Sequence, residues 1–104
     1  MSDAEEKNVR VLKLTKPINA HAEQVLELKF REPTGGDIIS VDNPVVFDMS
    51  SDPPKMAFDA ALMAEMMSLL AGVPPSSIAQ MSPNDFVSAE FLLLRFFVPA
   101  QALA

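Results

Sequence analysis

The run Asn84–Val98, NDFVSAEFLLLRFFV, constrains this chain more than any other stretch. Ser82 offers an N-cap hydroxyl, Pro83 fills the first helical position, and Asp85 sets an acid near the positive end of the helix dipole. Pro99 closes the run. At helical spacing the apolar side chains fall on two stripes, Phe86, Ala89, Leu93 and Phe96 on one and Val87, Phe91, Leu94 and Val98 on the other. Each stripe has the three-four alternation of a coiled-coil seam. A helix that is apolar nearly all round is either the centre of a small bundle or one that keeps a seam for a partner. Phe91 favours the partner, because it projects to the side of Asn84, Ser88 and Arg95, where a monomer would place polar groups.

A second helix is expected over Met56–Ala71. Asp52 precedes Pro53 and Pro54 ahead of it, Asp59 lies in its first turn, and Gly72 followed by Val73-Pro74-Pro75 terminates it. It too carries two stripes: Phe58, Leu62, Met66, Leu69 and Val73 against Met56, Ala60, Met63, Met67 and Leu70. Methionine either fills gaps in a small core or lets an apolar surface repack against different partners. Ser76–Gln80 reads as a short helical turn between the two helices.

Before the helices, the pattern has period two. Val9–Leu14 reads as a strand ended by Lys16-Pro17, and Gln24–Arg31 as a second, with Leu26, Leu28 and Phe30 alternating with Glu27, Lys29 and Arg31. With Ile18–Ala22 as the link, the two form an antiparallel hairpin that needs another layer to be stable. Ile38, Ile39 and Val41 fit a helical turn or a short extended piece equally, Val45–Phe47 is a small apolar patch, and residues 48–55 are a loop by composition. The expected fold class is α+β, an N-terminal hairpin packed on two main C-terminal helices with a short turn between them. A chain of 104 residues allows one modest core. Residues 1–8 are expected to be a disordered leader, 9–98 the single domain and 99–104 a tail.

Charge and composition narrow the function classes. A net charge of -6 with only eight Lys and Arg spread thinly argues against nucleic acid. No apolar run reaches the length of a membrane span, and the polar start does not read as a secretory signal. The chain has no cysteine, so neither a disulfide framework nor a thiolate site is available. His21, the one histidine, sits in a polar link between alanines and has no metal-ligand or catalytic spacing around it. The aspartates fall mainly at caps and turns, and Gly35-Gly36 lacks the lysine of a phosphate loop. No catalytic residue, cofactor or metal is expected, and the chain reads as an interaction module rather than an enzyme.

Two stretches, LKFREPTGGD (Leu28–Asp37) and LLAGVPPSSIAQMSPND (Leu69–Asp85), stand in order within the expected elements. In these, and in the helix between them, the chain resembles the tail assembly chaperones of long-tailed bacteriophages and prophages, including the Mu-like and P2-like phages. The likeness spans Val9 to about Val98. It implies a factor of the host cytoplasm, absent from the mature virion, that binds the tape measure protein and keeps it soluble while the tail tube polymerises. It also implies a possible frameshifted longer product that contacts the tail tube protein, and it brings no catalytic residues. The expected partner surface is Val87, Phe91, Leu94 and Val98 with Met63, Met67 and Leu70, used for a homo-oligomer or for tape measure helices. The alternatives are a minor structural tail protein and a small acidic regulatory binding module.

Overall fold

Alternation of apolar and charged residues does produce the N-terminal hairpin. In the computed structural model, which describes residues 9–99, β1 (Arg10–Ala20) pairs antiparallel with β2 (Glu23–Phe30). Five elements follow the hairpin: α1 (Gly35–Val41), β3 (Val45–Asp48), β4 (Lys55–Phe58), α2 (Ala60–Ala71) and α3 (Pro75–Ile78). The last helix, α4 (Pro83–Leu93), runs into a 3-10 turn at Leu94–Phe96. The fold is α+β, with β1 against α3 and α4, and β2 against α2. The proposed leader, and the tail from residue 100 on, lie outside the described residues.

β1 does not stop at Lys16-Pro17. The register shifts between Lys13 and Ile18, so β1 bulges there and then resumes pairing to Ala20. The link is a two-residue turn, His21-Ala22, with both residues at positive φ (53° and 63°), the handedness that suits tight hairpins. Ile18, Ala20, Leu28 and Phe30 face the core, while Leu26, opposite the bulge, is 61% exposed.

The bulge takes Thr15 and Lys16 off the β-ladder, and their N–H groups bond instead to a carboxylate on α4. Thr15 N–H donates to both oxygens of Asp85 (3.1 and 3.0 Å), its hydroxyl donates at 3.0 Å, and Lys16 N–H donates at 3.3 Å. Asp85 is only 2% exposed, and its own N–H is capped by Ser82 Oγ. Burial opposes its ionisation, but the Thr15, Lys16 and Ser82 donors together hold its pKa below the ordinary value. This carboxylate locks the hairpin onto the helical layer.

A second lock closes the other end of β2. Arg31 donates from Nη1 and Nη2 to the two oxygens of Asp37 at 2.7 and 3.0 Å, and Thr34 N–H donates to the same carboxylate at 2.8 Å. Thr34 and Asp37 form a reciprocal capping box at the start of α1. The Arg31 guanidinium, then the Thr34 N–H, pull the Asp37 pKa well down. Both carboxylates therefore contribute stability that is full above the ordinary carboxylate pKa and lost as pH falls through their lowered folded values. Scanning calorimetry should show a melting temperature that holds from neutrality to about pH 5 and falls steeply below about pH 4.

The helix expected from Met56 begins at Ala60, with Asp59 as N-cap accepting from Leu62 N–H, and ends at a left-handed Gly72 (φ 68°). Met56 belongs instead to a second small hairpin, in which Val45 faces Phe58 and Phe47 faces Met56. Strands of four residues are too short to show a period, so the arm reads as loop in sequence.

Candidate interaction surface

The described residues hold no group of three or more His, Cys, Asp or Glu placed to bind a metal ion, and no helix among them is long and apolar enough to cross a membrane. His21 Nε2 lies 3.1 Å from the Gly72 carbonyl at the protein surface. The chemically distinctive surface is apolar. On the outer side of α4, Val87 and Phe91 are 46% and 62% exposed.

Phe91 is not isolated there. Its ring meets that of Phe58 edge-on, with centroids 5.4 Å apart and planes at 82°. Phe58 ends β4, and because side chains two apart share a face, the exposed Phe47–Met56 pair continues the same side of the arm. An apolar ladder thus leads from α4 outward along the β3–β4 hairpin.

Val87 also forms part of a groove of about 400 Å³, whose walls include Ala64 of α2, Ile78 of α3, Met81 of the following connection, and Pro83 and Phe86 of α4. The side chains that line it are all apolar. One turn beyond Phe86 and Val87 lies Glu90, which is 7% exposed. Burial raises the pKa of Glu90, so its charge weighs on the folded chain above that raised value and relaxes as pH falls through it.

The seven residues expected to form a partner surface separate into two groups. Met63, Met67 and Leu70 are buried together with Met66, at the i, i+3, i+4, i+7 positions of one face of α2. They pack in the core with Leu28, Phe30, Ala89 and Leu93; of the other stripe Met66 joins them, Leu62 is half-buried and Leu69 is exposed. The core therefore takes residues of both stripes, and the three expected to meet a partner lie inside it. Its apolar residues run nearly all round, and only the docked hairpin decides which side is covered. On α4 the expected order holds for Ala89 and Leu93, which face inward, and for Val87 and Phe91, which face outward. Leu94 is half-buried and Val98 is buried. The reason is that the helix tightens at Leu94 to three residues per turn, which rotates the following side chains off the expected stripe.

The family described as phage tail assembly chaperone proteins, E, or 41 or 14, matches residues 11–98. The chain belongs to this family. No curated protein and no solved structure gives a match. In this phage tail assembly chaperone the two stretches that carried the resemblance serve largely as internal fastenings: Arg31, Thr34 and Asp37 in the first, and Ser77, Ser82 and Asp85 in the second. Ser77 Oγ donates to the Asn19 carbonyl at 2.7 Å, tying α3 to β1 as Asp85 ties α4.

Two features of the chaperone's surface had no precedent in the sequence pattern. The β3–β4 arm with Phe47, Met56 and Phe58 lay hidden in what reads as loop and helix start. Glu90 falls within an apolar helix as one acid among several, and its burial depends on how α4 docks.

Proposed function

We propose that this tail assembly chaperone binds the tape measure protein through the apolar face centred on Phe91 and keeps it soluble while the tail tube polymerises. The observation that carries the reading is Phe91 itself, 62% exposed on a helix whose other side is committed to the core. Val87 on the same helix and the Phe47–Met56 pair on the arm extend that face, enough to cover one side of an apolar helix. The acidic balance, -6 over the chain, keeps such a complex dispersed. In this reading the protein acts in the host cytoplasm, leaves before the virion is complete, and assembles as a homo-oligomer along its long client. A frameshifted longer product would bring the tail tube protein to the same place.

Co-expression with the cognate tape measure protein tests this. Tape measure protein should pellet when made alone and remain in the supernatant, bound to the chaperone, when both are made. Mass spectrometry of finished particles should find the tape measure protein and no chaperone. A tape measure protein equally soluble without the chaperone, or a chaperone retained in particles, would contradict the reading.

A further inference from the structure

Among the described residues, four polar or charged side chains are buried: Asp37, Ser77, Asp85 and Glu90. Three of them are fastened, Asp37 by Arg31 and Thr34, Ser77 to the Asn19 carbonyl, and Asp85 by Thr15 and Lys16. Glu90 has no hydrogen bond or ion pair to any described residue. Among the described residues the ion pairs join Lys29 to Glu27 and Arg31 to Asp37. Arg10 of β1 is spent on the Phe96 ring, 5.0 Å from its centroid. From Met56 to Leu94 the chain contains Asp59, Glu65, Asp85 and Glu90 and not one Lys, Arg or His. This stretch therefore offers Glu90 no cation of its own.

Among the described residues no side-chain oxygen that lacks a hydrogen bond is itself buried, so the Glu90 carboxylate still reaches solvent; partly drawn out of water and without a cation beside it, it gains from one brought from outside. We propose that Glu90 anchors a lysine or arginine of the bound client, so that the chaperone selects segments in which an apolar helical face is flanked by a cation. The client's apolar side chains enter the groove walled by Ile78, Met81, Phe86 and Val87, and its cation pairs with Glu90 at the end of that groove. A small-molecule ligand fits less well, because the lining offers no convergent polar groups to orient one. This inference rests on the α4 face being the client surface, and it adds the chemistry that the face selects.

Three synthetic amphipathic peptides with one leucine face, flanked by Lys, by Gln or by Glu, serve as probes against the full chain in fluorescence anisotropy. The Lys peptide should bind best and the Glu peptide worst. Glu90→Gln should weaken the Lys peptide by about tenfold and erase its advantage over the Gln peptide. The same variant, free of peptide, should melt at a higher temperature than the parent at neutral pH, because a desolvated charge is gone. A residue of merely structural importance would not improve stability while losing binding. Glu65→Gln should leave the preference intact.

Equal binding of the Lys and Gln peptides to the parent protein would overturn the role of Glu90. So would a preference that survives Glu90→Gln, or one that Glu65→Gln removes as well, since that would mark diffuse acidity. Binding of none of the peptides would count against the groove itself. If Phe91→Asp abolishes binding of both the Lys and the Gln peptides while those two bind the parent alike, the client face stands and only the anchor fails. If Phe91→Asp leaves every peptide bound as before, the client face is refuted with it.

Discussion

Asp85→Ala is expected to lower the stability of the folded chain by about 2–3 kcal/mol, which for a domain of this size means a loss of roughly 10 °C or more in melting temperature. The size follows from what the carboxylate holds. The Thr15 and Lys16 N–H groups lie in a bulge where β2 cannot reach them, and Asp85 is their acceptor. Removing the carboxylate releases all three donors from α4: Thr15 and Lys16 are exposed, so their N–H groups turn to water, and a buried side chain is lost between α4 and β1. Thr15→Ala is the informative contrast: it deletes only the hydroxyl bond and leaves both backbone donors satisfied, so the cost should be about 1 kcal/mol. Thermal melts of the two variants followed by circular dichroism check the ratio. Equal effects would mean that the hairpin is held by packing alone.

Phe91→Asp should have the opposite profile, with little effect on folding and a large effect on the client. The side chain is largely in water and touches the core through its edge contact with Phe58, so the loss in stability should stay within about 1–2 kcal/mol. At an interface an aromatic anchor typically carries 2 kcal/mol or more, and the aspartate adds a charge that would be buried without a partner. Affinity for the tape measure protein should therefore fall by roughly 30-fold or more, and co-expressed tape measure protein should return to the pellet. Met66→Ala, at a fully buried position of the same core, should do the reverse: destabilise by about 2–5 kcal/mol and spare binding in the fraction that stays folded.

Local chemistry made the start of α4 and the end of α2 legible and left the orientation of the helices largely hidden. Ser82-Pro83 and Gly72 act where caps and stops are expected, because a cap is satisfied within three residues of itself. Leu28 and Phe30 face inward as alternation requires, and on α4 Val87 and Phe91 face outward. Most of the misreadings involve partners outside the element itself. Asp85 looks like one more helix-start acid until Thr15, 70 positions earlier, is brought against it. The Met63, Met67 and Leu70 stripe looks free for a partner until β2 covers it together with Met66 of its neighbour. Met56 is drawn into a helix by the apolar run after it, whereas pairing with Phe47 makes it a strand residue. Val98 leaves its stripe because a single 3-10 turn changes the period.

Two exposed side chains of nearly equal accessibility, Phe91 at 62% on α4 and Leu26 at 61% opposite the bulge, provide an internally matched test of where the client sits. A photo-cross-linking phenylalanine analogue is placed at one position or the other, and the complex with the tape measure protein is irradiated. Covalent adducts to the tape measure protein from position 91, with few or none from position 26, are the predicted result. Adducts from position 26 with none from position 91 would move the client to the hairpin and contradict the assignment of the α4 face.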